Sequence, residues 1–130
     1  MNDVWHKWIG NDNGVDADKY YDVYDMLIQH TLKELPDVKI VIMEPFVLKS
    51  TATEGCYDEF RKEVELRAEM ARKIAKKYSL LFIPLQEDFD EAVHKAPVEC
   101  WLADGVHPAL AGSQLIADKW IELVKDKNWF

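Results

Sequence analysis

The chain has 130 residues, 48% of them hydrophobic and 31% charged, which is enough for one domain with a core and excludes a disordered polyelectrolyte. Its 24 acidic against 16 basic side chains give a net charge of −8, a surface that repels phosphate backbones, so nucleic acid is not an expected partner. No apolar run nears the length of a membrane span, Met1-Asn2-Asp3 lacks the basic start of a secretory leader, and Cys56 and Cys100 read as reduced thiols in a cytoplasmic protein without a membrane partner.

The chain is expected to open irregularly, with a turn cluster at Asn11-Asp12-Asn13-Gly14. Asp16 is placed to cap a helix carrying Tyr20, Tyr24, Leu27, Ile28, Thr31 and Leu35 at helical spacing, and Pro36-Asp37 stops it. Val38–Met43 is short, β-branched and almost wholly apolar, which predicts a strand covered on both faces. A loop from Phe46 to Cys56 precedes a second amphipathic helix over about Asp58–Tyr78. Its stripe is Phe60, Val64, Ala68, Ala71, Ile74 and Ala75, and Arg61, Lys62, Glu65, Glu69, Arg72, Lys73, Lys76 and Lys77 form a solvated face with i,i+4 pairs. Leu80–Leu85 predicts a second buried strand, followed by a short helix near Asp88–Lys95, a loop over Pro97–Pro108 and a last helix over about Leu110–Lys125. Strands separated by amphipathic helices imply parallel pairing in an α/β layered fold, here with two clear strands and about four helices.

The strongest local signal is Trp101-Leu102-Ala103-Asp104-Gly105-Val106-His107-Pro108. A carboxylate three residues before an imidazole can accept from Nδ1–H, fix the tautomer and leave Nε2 as a base, and Gly105 permits the tight loop this needs. The same spacing also suits a plain helix-entry turn in which Asp104 caps backbone amides and His107 is a surface residue. An Asp/His metal pair is a third reading, without evident further ligands.

Asp104-Gly105-Val106-His107-Pro108 followed by three residues, Gly112 and an amphipathic helix resembles the C-terminal block of the SGNH (GDSL-type) ester hydrolases. Lys39–Phe46 and Leu85–Asp90 sit where that family has similar stretches, and Asn2-Asp3-Val4-Trp5-His6 is similar to the end of its Gly-x-Asn-Asp block. The resemblance implies part of a three-layer α/β/α, flavodoxin-like fold. It implies Asp104 as orienting aspartate, His107 as general base and Asn2 as an amide donor to the oxyanion, preferred to Asn11 in its turn. The family's Gly-Asp-Ser block, with the nucleophilic serine, and its oxyanion glycine have no counterpart, since Ser50, Ser79 and Ser113 fall in a loop, at a helix end and in a first helical turn.

The chain therefore reads as a single incomplete domain over residues 1–130, the C-terminal portion of an ester hydrolase. A small acyl ester is the implied substrate, with no metal or organic cofactor. The alternative is a non-catalytic remnant or interaction module of the same fold. Glu44, at the carboxyl end of a strand, is a candidate substrate-side residue or a turn carboxylate. Trp101 is a candidate pocket wall or a core residue. Trp5 and Trp8 read as packing residues, and His6, His30 and His94 as surface or helix residues. With a neighbouring strand missing, the edge at Val38–Met43 is expected to bury itself in a homo-oligomer.

Overall fold

A computed structural model describes residues 2–8, 10, 11, 13–127 and 129. Met1 and Asp12, and with them part of the expected first block and turn cluster, lie outside the described residues, as does the Trp8 side chain. The elements in order are α1 (Asn2–Trp8), α2 (Ala17–Glu34), β1 (Val41–Met43), a 3-10 turn (Thr51–Thr53), α3 (Tyr57–Lys77), β2 (Leu81–Ile83), α4 (Gln86–Ala92), α5 (Val98–Trp101) and α6 (Leu110–Lys125).

The two strands pair in parallel, with Val41, Ile42 and Met43 opposite Leu81, Phe82 and Ile83. Alternation of side chains sorts them onto two faces. Ile42 and Phe82 pack with Ile28 of α2 and Ala71, Ile74 and Ala75 of α3. Val41, Leu81 and Ile83 pack with Phe89 of α4 and with Leu115, Ile116 and Trp120 of α6. Helices therefore cover the sheet on both faces, the three-layer α/β/α arrangement. A third cluster, Val4, Val47, Phe60, Val64 and Val106, joins α1 and α3 to the segments around the strand ends.

Helix α2 starts where the carboxylate of Asp16 accepts from the Lys19 amide at 2.9 Å, as the sequence predicted. Helix α3 buries the expected stripe and carries the expected i,i+4 pairs, Arg61–Glu65 and Glu69–Lys73. Its charged face is not uniformly solvated, however. Arg61 is held in a two-pronged ion pair with Asp90. Arg67, on the same helix, is 2% exposed and bonds Asp3, the Val15 carbonyl and Glu63.

Five elements differ from expectation. The opening segment is helical, because seven residues too few to persist alone are pinned by Val4, by Trp5 against Phe60 and by the Asp3–Arg67 pair. Both strands shrink to three residues. The Val38 amide turns back to the Leu35 carbonyl, and Pro84 has no N–H with which to continue the ladder. Helix α4 begins at Gln86 rather than Asp88, and the expected loop over Pro97–Pro108 contains the short helix α5. Among the described residues no helix is long and apolar enough to cross a membrane.

Candidate active site

The segment between α5 and α6 is a closed loop. Leu102 and Pro108 form an antiparallel bridge, and the Ala103 amide donates to the His107 carbonyl at 2.8 Å. Inside it Asp104 uses its two oxygens differently. Oδ1 accepts from the Val106 and His107 amides at 3.1 and 2.9 Å. Oδ2 lies 2.7 Å from His107 Nδ1. Burial pushes the Asp104 carboxyl up, but the His107 amide, the His107 ring and the Val106 amide together outweigh it and hold it at about 2. Asp104 is therefore an anion at neutral pH, and the proton between the two groups sits on Nδ1. His107 is 68% exposed, and among the described residues Nε2 has no hydrogen-bond partner.

The loop is docked on the segment after β1. Gly105 has φ +99°, and a Cβ there would overlap the Leu48 carbonyl oxygen and lie 3.1 Å from Ser50 Cβ. The Leu48 amide donates to the Gly105 carbonyl at 2.8 Å, and the Ala52 amide to the Asp104 carbonyl at 3.0 Å. Gly112 lets α6 cross the end of α5, since a Cβ there would overlap the Trp101 carbonyl oxygen. Gly105 and Gly112 thus have steric reasons for their places in the motif.

Trp5 is the neighbour that sequence reasoning assigned to packing alone. Its ring packs on Phe60 and also stands 5.9 Å from the His107 ring, tilted by 30°. No pattern links residues 5 and 107, so only the fold reveals the contact. Asn2 is exposed and precedes Trp5 by three residues on α1, which puts the two on one side of that helix. Asn11 sits in the turn after α1, its amide bonded to the His6 carbonyl.

The other candidates lie elsewhere. Glu44 is buried, with Oε2 accepting from the Leu85 and Gln86 amides at 2.8 and 2.9 Å and Oε1 bonded to Arg72 at 2.8 Å. It clamps the end of β1 to the start of α4, and none of these bonds reaches Asp104 or His107. Trp101 donates to the Ala96 carbonyl at 3.2 Å and packs with Phe89, Leu115 and Leu123, lining a surface groove with Asp88 and Lys119. Its side chain serves the α5–α6 packing. Ser79 terminates α3 with φ 55°, Ser113 is exposed in the first turn of α6, and Ser50 adjoins Gly105. None of the three hydrogen-bonds His107. His30 and His94 are exposed, and no group of three metal-ligating side chains occurs among the described residues.

No family model and no curated protein matches the sequence. Among solved structures, the chain is similar to a protein of Parabacteroides merdae described as a GDSL-like lipase, with 35% identity and a TM-score of 0.85 over 95% of this chain and 56% of that one. It is similar in fold to an acetylxylan esterase of Geobacillus stearothermophilus, with 24% identity and a TM-score of 0.78 over 95% of this chain and 55% of that one. An alpha/beta hydrolase from the metagenome of Lake Arreo gives 24% identity, a TM-score of 0.77 and the same shares. The chain thus spans a little over half the length of each. The acetylxylan esterase is also known as catalytic mutants in which a serine, an aspartate or a histidine is replaced by alanine, the aspartate standing three residues before the histidine. By fold and motif, the chain corresponds to part of an SGNH (GDSL-type) hydrolase domain.

Proposed function

We propose that this chain supplies the acid–base end of a serine ester hydrolase site that acts on a small acyl ester. The observation that carries the reading is the 2.7 Å contact from Asp104 Oδ2 to His107 Nδ1 with Nε2 on the exposed side. Its Asp-x-x-His spacing equals that of the aspartate and histidine replaced in the catalytic mutants of the Geobacillus esterase.

In this reading His107 Nε2 removes the proton of a serine hydroxyl as its oxygen attacks the ester carbonyl, then returns it to the departing alcohol. Asp104 holds the imidazole in the required tautomer and stabilises the imidazolium. Asn2, on the side of α1 that carries Trp5 to His107, donates its amide to the oxyanion, a contribution worth roughly 3 kcal/mol in a complete site. The serine comes from outside these residues. In the Geobacillus esterase it precedes the aspartate by more residues than this chain has before Asp104. The chain is in that sense the C-terminal portion of the domain.

The test is turnover of an aryl acetate. The chain alone is expected at background, and the chain mixed with the unmatched portion of the Parabacteroides protein is expected to gain turnover that His107→Ala removes. Persistent background with that portion folded and bound supports the second reading, a non-catalytic module.

Two further expectations belong to the same proposal. The bond from the Glu44 amide to Ile83 sets the alternation along β1, so Val41 and Met43 turn their amides away from β2, and Met43 is 40% exposed. A second copy pairing along this edge gives a homo-oligomer, checked by light scattering together with hydrogen exchange at Val41. Cys56 and Cys100 are free thiols, which supports a cytoplasmic location, checked by fractionation.

A further inference from the structure

Beyond Met43 the chain runs out of sheet. The last ladder bond is Glu44 N–H to the Ile83 carbonyl at 2.9 Å, and β2 ends at Ile83, just before Pro84. Val47 is nevertheless completely buried, so its amide and carbonyl need partners that no strand supplies. Gln86, the first residue of α4, supplies both. Its Oε1 accepts from the Val47 amide at 2.9 Å, and its Nε2 donates to the Val47 carbonyl at 3.0 Å. The remaining Nε2 proton goes to Asp90 Oδ1 at 3.0 Å. Asp90 is gripped in turn by both terminal nitrogens of Arg61, at 3.0 and 2.9 Å, and Arg61 also donates to the Val47 carbonyl at 3.3 Å. One side-chain amide thus imitates the edge of a strand, and an ion pair fixes which way that amide faces.

The residue after Val47 is Leu48, whose amide holds the Gly105 carbonyl and whose own carbonyl faces the Gly105 α-carbon. Thr53 Oγ1 donates to the Leu48 carbonyl at 3.3 Å, and the Ala52 amide holds the Asp104 carbonyl at 3.0 Å. A continuous set of hydrogen bonds therefore runs from the start of α4, through Val47 and Leu48, to the loop that presents the Asp–His pair. We propose that Gln86, backed by Asp90 and Arg61, is a positioning residue for His107. It holds the segment on which the Asp104 loop is docked and thereby keeps Asp104 Oδ2 against Nδ1. The proposal rests on the reading of Asp104 and His107 as an acid–base pair. Glu44, which fixes the Gln86 amide to the end of β1, makes the same anchor shorter and stiffer.

The test reads the tautomer of His107 in the full chain by the nitrogen shifts of its ring above the imidazole pKa, with His107→Gln assigning the signals. Gln86→Met keeps the length of the side chain and removes every polar bond. It is expected to lower the ratio of Nδ1–H to Nε2–H tautomer by about tenfold, the scale of losing one charge-assisted hydrogen bond. Ile28→Val, which loosens the separate cluster between α2 and α3, is expected to leave the ratio unchanged. Should Gln86→Met fail to fold, Asp90→Ala decides, because Asp90 is half-exposed and its loss removes the bond that fixes which way the Gln86 amide faces without emptying the core. A folded Gln86→Met or Asp90→Ala chain with the wild-type ratio overturns the proposal. The readout involves no turnover, so a negative result here leaves the ester hydrolase reading standing, and an inactive complemented enzyme leaves this one standing.

Discussion

Replacing Gly105 by alanine tests the loop at its tightest point. The added Cβ faces two penalties that can be separated. The first is conformational, because φ +99° is a region that side chains avoid, at a cost of roughly 1–3 kcal/mol. The second is steric, since the Cβ would overlap the Leu48 carbonyl oxygen and press on Ser50 Cβ at 3.1 Å and Ser50 N at 3.3 Å. Neither backbone atom can swing aside as a side chain would, and overpacking of this kind costs about 1–3 kcal/mol. The sum is roughly 2–6 kcal/mol, a large part of the ~5–15 kcal/mol that holds a domain together. Gly55 is the internal control, with φ +80° and nothing within 4 Å of its Cβ position. Gly55→Ala incurs the conformational penalty alone. Urea unfolding of the two variants beside the wild type isolates the steric part as their difference, expected at about 1–3 kcal/mol. Equal destabilisation of the two would refute the docking of the Asp104 loop on Leu48.

Gly112→Ala is expected to be at least as costly as the upper end of about 1–3 kcal/mol, because its Cβ overlaps the Trp101 carbonyl oxygen where α6 crosses α5; the thermal midpoint measures it. Arg67→Met strips a 2% exposed guanidinium from its bonds to Asp3, Glu63 and the Val15 carbonyl and is expected to cost about 1–3 kcal/mol in urea unfolding. The Asp104 carboxyl titrates at about 2 in the folded chain against 3.8 when free. Its contribution to stability is therefore complete above the free value and is lost as pH falls through about 2. Carbon-detected titration of Asp104 is expected to show this midpoint, and His107→Ala is expected to raise it; a wild-type midpoint near 3.8 would contradict the observed hydrogen bonds.

The long periodic segments were legible because each buries one continuous stripe. The helices over Ala17–Glu34, Tyr57–Lys77 and Leu110–Lys125 fall within a residue or two of expectation. The apolar runs at Val38–Met43 and Leu80–Leu85 announced strands correctly but not their length. Where a strand ends depends on its neighbour's ladder, and here Pro84 and the Val38 turn end it early. Helix α1 was illegible because its stability is tertiary, coming from Val4, Trp5 and the Arg67 pair rather than from its own seven residues. Arg67 and Gln86 were missed for a related reason. A polar residue on a polar helix reads as solvated until the fold brings a carboxylate, or a stranded backbone amide, against it. Glu44 shows the converse, since the end of a buried strand suggested a ligand contact, and the fold uses the carboxylate to cap α4 and hold Arg72.

On spacing alone, Asp104 and His107 could be either a helix-entry turn or a catalytic pair, and the structure explains why spacing could not choose. One carboxylate oxygen performs the turn's task, collecting the Val106 and His107 amides, while the other holds the imidazole. The two readings share one conformation, because amides gathered by Oδ1 aim the His107 side chain back at Oδ2. A lone turn would keep that geometry only loosely, since His107 is 68% exposed and its ring is free to rotate into water. What distinguishes this loop is the structure spent around it. Gly105 admits the Leu48 carbonyl, Ala52 holds Asp104 from the other side, Trp5 stands beside the ring, and Gln86 fixes the segment beneath. On the reading proposed above, each of these constrains the orientation of an exposed imidazole, and such constraint is what a general base requires.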